Sequence, residues 1–341
     1  MMDIVDDLSN ETRKPSAEPV VLPESKRAGK DGPTGYLPEP GLIDAFRSAL
    51  LLRRPLLLTG EPGTGKTQAA HYLNWKLGYG EKALRFDAKS TSTARDLFYT
   101  YNTIGRFHAA QTRKGSQNSV DYIHYNALGE AILRAMAYGK VSDWLPRDFL
   151  HAGEAMQSVV LIDEVDKAPR DFPNDLLNEI ENMVFRVPEL DNKEFVAEAK
   201  YKPVVIITSN SERNLPAAFL RRCVFYNIQR PGKARFALIL QERLGVDTDS
   251  PLIEDALRFM IYLRSTEAEL NKKPATAELL DFVLVLQARG AQPGQRFRDI
   301  QETVASASNT LFKDEGADVA KALEEWLRRE AGNAPKSTAG H

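Results

Sequence analysis

Apolar and polar positions follow two regimes along this chain. In the first, short continuous apolar runs end abruptly in polar residues: Leu56-Leu57-Leu58-Thr59, Val159-Val160-Leu161-Ile162-Asp163-Glu164 and Val204-Val205-Ile206-Ile207-Thr208-Ser209-Asn210. A run without alternation suits a strand of a parallel sheet, covered on both faces. Arg85-Phe86-Asp87 is expected as a further strand. Residues 41–51 and Ala127 to Tyr138 read as helices, and Leu215 to Cys223 as a short one. Val184–Leu190 followed by Phe195–Tyr201 reads as a β-hairpin. After Arg230-Pro231-Gly232 the period becomes helical, with apolar stripes for four or five helices built on residues such as Leu257, Leu279, Val304 and Leu311. The pattern predicts an α/β core with a parallel sheet over residues 36–230. A small all-α domain follows over 231–330. Residues 1–35 are rich in Pro, Lys, Glu, Ser and Gly and read as a disordered arm, and residues 331–341 as a frayed tail.

The polar ends of the runs carry the chemistry. Gly60-Glu61-Pro62-Gly63-Thr64-Gly65-Lys66-Thr67 stands between the first strand and a helix that opens at Gln68. Strand, glycine loop and helix at this spacing aim backbone N–H groups and a helix N-terminus at a polyphosphate. Lys66 would then reach the β- and γ-phosphates, and the Thr67 hydroxyl would ligate Mg²⁺. Asp163 and Glu164, at the carboxyl end of a central strand, are placed to hold the metal and to orient an attacking water. Asn210 ends the next strand, where it could bond the γ-phosphate or that water. Arg221 and Arg222 close a helix far along the chain, and either could serve a neighbouring subunit's nucleotide, because a guanidinium fork bonds two phosphate oxygens together.

This ordered series resembles the AAA+ ATPases. Within them, Val160 to Pro169, Asn174 to Glu181 and Tyr125 to Ile132 are similar to segments of the MoxR branch, and the resemblance spans Leu37 to Leu311. It implies a P-loop NTPase with a three-layer α/β core and a helical lid. It makes Lys66 and Thr67 the loop lysine and metal hydroxyl, Asp163 and Glu164 the metal and catalytic carboxylates, and Asn210 sensor 1. Arg222 matches the arginine finger, with Arg221 its rival. The branch carries a sensor-2 arginine directly after a proline, where this chain has Pro293-Gly294, so Arg296 and Arg298 both stand for that role. The resemblance further implies ATP with Mg²⁺, hydrolysis in a hexameric ring and contact of residues 41–51 with adenine. It also implies a hairpin toward the ring centre and a remodelled partner protein, often one with a von Willebrand A domain.

The rest of the chain narrows the alternatives. At 341 residues, 43% hydrophobic and 27% charged, it has the composition of a soluble globular protein. A net charge of −2 provides no global basic field for nucleic acid, which weakens the alternative of a nucleic-acid motor of a restriction or defence system. A nucleotide switch with slow turnover is the other alternative. No apolar run approaches the roughly eighteen residues of a membrane span, and no signal pattern opens the chain, so a cytoplasmic protein is expected. The single Cys223 fits a reducing compartment. It is expected either to pack or, beside two arginines, to carry a lowered pKa. Lys89 to Tyr99 reads either as a pore loop or as a capped turn with Leu97 and Phe98 packed inward. Asn102 to Asn118 reads as a basic, polar loop.

Overall fold

The computed structural model describes residues 32–112, 118–210, 215–265, 270, 272–312 and 319–333. The expected arm up to residue 31 and tail from 334 lie outside the described residues. The chain divides into two compact units, one over Gly32–Arg230 and a helical one from Pro231 onward.

In the first unit, a 3-10 turn at Gly32–Gly35 leads into helix α1 (Pro40–Leu52). Pro33 and Gly35 are buried and Tyr36 packs on Tyr72, so residues 32–35, expected in the arm, belong to the folded unit. Strand β1 (Leu56–Thr59) follows, then the glycine loop and helix α2 (Lys66–Lys76). After β2 (Leu84–Asp87) the segment Lys89 to Tyr99 is a capped turn. Thr93 and Asp96 form a capping box, and Leu97, Phe98 and Tyr99 are buried. Strands β3 (Tyr99–Tyr101) and β4 (Ile123–Tyr125) pair antiparallel. Between them lies helix α3 (Thr103–Thr112), where a polar loop was expected. Its sequence hid it because it has little to bury: Ala109 is covered while Ile104 and Phe107 stay exposed.

Helix α4 (Ala127–Arg134) is shorter than expected, and a separate turn of helix, α5 (Tyr138–Val141), follows it. Gly129 is needed in α4, since a Cβ there would stand 2.0 Å from the Phe98 carbonyl oxygen. Past a 3-10 turn at Ser142–Trp144 the chain is irregular until β5 (Val159–Asp163). Helix α6 (Phe172–Asn182) leads into the hairpin β6 (Val184–Val187) and β7 (Lys193–Val196). Phe185, Val187 and Phe195 pack inward from it, and Arg186 and Glu194 form an ion pair at 2.7 Å on its outer face. Strand β8 (Val204–Thr208), helix α7 (Ala217–Arg222) and strand β9 (Val224–Asn227) complete the unit.

The main sheet has the order β2-β5-β8-β1-β9, with every neighbouring pair parallel. Alternate residues of one strand point to opposite faces. Leu57, Val160, Ile162, Val205 and Ile207 accordingly join the core beneath α4, α6 and α7, while Leu56, Leu58, Val159, Leu161 and Ile206 join the core beneath α1 and α2. Two helical layers enclosing a parallel sheet make the three-layer P-loop arrangement. Parallel strands also bring all carboxyl ends to one edge, so Thr59, Asp163 and Thr208 meet there.

The second unit contains α8 (Lys233–Leu244), α9 (Pro251–Arg264), α10 (Thr276–Ala288), α11 (Gln301–Ala307) and α12 (Val319–Asn333). Phe259, Phe282, Phe297 and Trp326 form its aromatic centre, largely edge-to-face, with Phe259 and Trp326 centroids 5.4 Å apart. Helix α12 runs to Asn333, beyond the expected start of the tail.

Candidate active site

The glycine loop adopts backbone angles that its sequence makes possible. Gly60, Gly63 and Gly65 have φ of 137°, 76° and 92°. A Cβ on Gly60 would lie 2.7 Å from the Ile228 carbonyl oxygen, and one on Gly65 would lie 3.2 Å from the Tyr36 ring. Both positions therefore exclude side chains. Pro62 and Gly63 are exposed at the tip, and Thr64 Oγ1 donates to the Glu61 carbonyl at 2.8 Å. Thr67 and Gln68 open α2 just behind the loop. Lys66 is buried, and its ammonium donates to the carbonyls of Gly60 and Glu61 at 2.8 and 2.9 Å. Burial lowers its pKa, while Asp163, Asp166 and Glu164 act in the opposite direction.

Asp163 is the hub. Its side chain is 5% exposed. Thr67 Oγ1 donates to Oδ2 at 3.0 Å, the Thr208 hydroxyl donates to Oδ1, and the Arg85 guanidinium forms an ion pair with Oδ2 at 2.9 Å. Arg85 also pairs with Asp87 at 2.7 Å. The Glu164 N–H donates to Thr208 Oγ1 at 2.9 Å, which ties the backbone after β5 to the same hydroxyl that holds Asp163. Glu164 itself has φ 55°, a left-handed conformation unusual for glutamate and held here by its neighbours. Its carboxylate accepts from Lys167 and, at 3.3 Å, from Asn210 Nδ2. The Lys167 contact pulls its pKa below the ordinary carboxylate range, burial opposes this, and Asn210 adds to the lowering. Asn210 is fixed in turn, because its N–H donates to Asp166 at 3.1 Å.

One edge of the sheet thus brings together Lys66, Thr67, Asp163, Glu164 and Asn210. A cradle of glycines that no Cβ could share, with a lysine inside it, fits a polyphosphate. A hydroxyl and a carboxylate in contact fit Mg²⁺, which takes one or two protein oxygens and completes its shell from phosphates and water.

Arg221 and Arg222 are not part of this assembly. Both are exposed, and Arg222 pairs with Glu181 of α6 at 3.5 Å. Among the described residues neither bonds to the glycine loop. In the helical unit, Arg296 forms an ion pair with the buried Asp255 at 2.7 Å and lies 3.6 Å from Glu254. Arg298 is 77% exposed, with Asp299 at 3.7 Å. Cys223 is buried, and burial pushes its thiol up to about 12, so the alternative of a lowered pKa is overturned.

Two residues of the site escaped the sequence reading. Arg85 reaches Asp163 only because β2 lies beside β5, and Arg230 forms an ion pair with Glu61 of the loop across β1 and β9. Both are pairings of non-adjacent segments, and no spacing along the chain signals them.

Residues 55–223 match the family model of the AAA domain, dynein-related subfamily. No curated protein matches the chain.

Proposed function

Because residues 55–223 match the AAA domain model, we propose that the protein hydrolyses ATP with Mg²⁺ and uses the energy to remodel a partner protein as a ring oligomer, in the manner of the MoxR branch. One observation carries the hydrolysis reading: Thr67, Asp163, Glu164 and Asn210, from the start of a helix and the ends of two strands, meet beside a buried Lys66. The loop N–H groups and Lys66 bind the phosphates and hold the terminal one in place. Thr67 and Asp163 would hold Mg²⁺, which when bound would supply charge neutralisation at the phosphate oxygens. Thr208 and Arg85 fix the Asp163 carboxylate in its orientation. Glu164, a carboxylate at neutral pH whose charged form the Lys167 contact favours further, accepts a hydrogen bond from the attacking water and aligns it. Asn210 holds Glu164 and fixes the position of that water.

Arg222 is the finger in this proposal, reaching a neighbouring subunit's terminal phosphate, with Arg221 as the competing choice. Its exposure and its single long ion pair leave it free to do so. Asp255 engages Arg296 within the helical unit, which favours Arg298 as the arginine that senses nucleotide. The partner remodelled would be a protein, von Willebrand A domain proteins being the class the MoxR resemblance suggests, and the compartment the cytoplasm. No helix among the described residues is long and apolar enough to cross a membrane.

The Lys167 contact supports a second reading, a switch in which Glu164 is restrained and turnover is slow. Glu164→Gln separates the two. On the first reading wild type turns over, and the variant loses about two to three orders of magnitude in kcat yet still assembles with ATP, measured by phosphate release and solution mass. An assembled wild type that binds ATP and hydrolyses none sinks the first reading in favour of the switch.

A further inference from the structure

A second constellation lies at the opposite, amino-terminal edge of the same sheet. Residues leading into β1, β5 and β8, among them Pro55, Gln157 and Pro203, surround a pocket of about 220 Å³. Its apolar lining includes Leu50, Leu77 and Met183. Its charge is entirely positive: Arg53, Arg54 and Lys202 line it, and among the described residues none of the three makes an ion pair with a carboxylate. Arg53 donates to the Ala199 carbonyl and Lys202 to the Glu181 carbonyl at 3.1 Å, so backbone dipoles orient these cations without neutralising them. Burial lowers the Lys202 pKa and the like charge of Arg53 lowers it further, while the Glu181 carboxylate acts more weakly in the opposite direction. Beside the pocket, Leu51 and Leu52 are 84% and 59% exposed.

We infer that this pocket is a docking site for an acidic segment of a partner protein, one carrying an apolar side chain between carboxylates. The cavity has room for a single apolar side chain over Leu50, Leu77 and Met183. The flanking carboxylates would meet Arg53, Arg54 and Lys202, and neighbouring apolar residues would cover Leu51 and Leu52. A nucleic-acid backbone would satisfy the cations and leave both leucines in water. A bilayer surface is flat and would not fill a concave site. The position also has consequence for the enzyme. Helix α2 runs from Lys66 at the nucleotide edge to Lys76, and Leu77, which caps it, lines this pocket, so an occupant touches the end of an element that holds the phosphate loop. The inference does not depend on hydrolysis, since docking needs no nucleotide.

The test is fluorescence anisotropy of a labelled peptide of alternating aspartate and leucine with the full-length protein, in the absence of nucleotide. Binding should weaken with added salt. The triple variant Arg53→Glu/Arg54→Glu/Lys202→Glu should lose about tenfold or more, each exposed charge contributing up to about 1 kcal/mol. Leu51→Ser/Leu52→Ser should weaken it as well, and Arg47→Glu on the same helix should leave it unchanged. Arg54→Glu alone, at an exposed side chain, keeps the test intact if the triple variant melts early, and should cost about threefold. Absence of binding overturns the inference, as does binding that the charge reversals leave untouched. Equal binding of a lysine–leucine peptide does the same. So does tighter binding of an oligothymidine or of phosphatidylserine vesicles through these residues.

Discussion

The proposed function assigns both Asp163 and Arg222 to phosphate chemistry, and their surroundings could hardly differ more. Asp163 is 5% exposed and has three side-chain partners, Thr67, Thr208 and Arg85. Arg222 is about half exposed and has one ion-pair partner among the described residues, Glu181 at 3.5 Å. A group that acts within its own subunit can be prepared by that subunit, with each donor set in advance. A group that acts on another subunit's substrate has to remain available, and its own fold holds only the helix that bears it. Phe219, one turn back on α7, is fully buried, so the base of the helix is fixed while its tip is presented. If Arg222 is the finger, as proposed, the chain carries its own binding site and a second copy completes the catalytic one.

The largest effect that would test this difference is on Arg222. Replacing it with Ala should leave ATP affinity within about twofold and reduce kcat about a thousandfold, the usual scale for an arginine supplied in trans. Mixing matters more than the single variant. Arg222→Ala and Glu164→Gln subunits should each be inactive alone and regain measurable phosphate release together, since some junctions then pair an intact Arg222 with an intact Glu164. If the mixture stays dead, or if Arg221→Ala shows the loss instead, Arg222 is not the finger. Next in size is Lys66→Ala, which removes the one buried cation of the loop. ATP binding should weaken about a hundredfold by calorimetry, within the range for truncating one partner of a buried charged pair. Mixing with any other variant should not restore that loss, because the defect lies inside one subunit.

The same contrast decides how much the sequence could reveal. β1, β5 and β8 are buried on both faces, so their composition is almost wholly apolar and their ends are sharp. The residues just past those ends are the ones the site uses, which is why Lys66, Asp163, Glu164 and Asn210 were legible together. β9 lies at the sheet edge, with residues alternating between half-buried and exposed, and Val224-Phe225-Tyr226-Asn227 gives no continuous apolar run. β3 and β4 have three residues each, too few for a period to appear. Helix α3 looked like a loop because its apolar residues Ile104 and Phe107 face solvent and its charged ones have no stripe to flank. Arg85 was read as one residue of a strand. Its bond to Asp163 depends on strand order, which follows from long-range packing and not from local propensity.

The smallest effect concerns Cys223, at the junction between the prepared core and the exposed arginines. Arg221 and Arg222 precede it directly, and two adjacent cations would ordinarily favour the thiolate. Burial prevails, and the thiol is pushed up to about 12 from 9.0. The folded state therefore holds the proton more tightly than the unfolded chain does. The resulting stability is fully present below pH 9, and it declines as pH rises from there toward 12. At pH 8 the native thiol should carry about a thousandth of the thiolate found in the unfolded chain, and alkylation should slow at least in that proportion. Denaturant should release the full rate. The measurement is the time course of labelling by a small maleimide, native against unfolded, at pH 7, 8 and 9. Rapid native labelling would mean that the end of α7 opens readily in solution. Arg222 would then be carried on a loose helix, and the contrast with Asp163 would be one of rigidity as well as of partners.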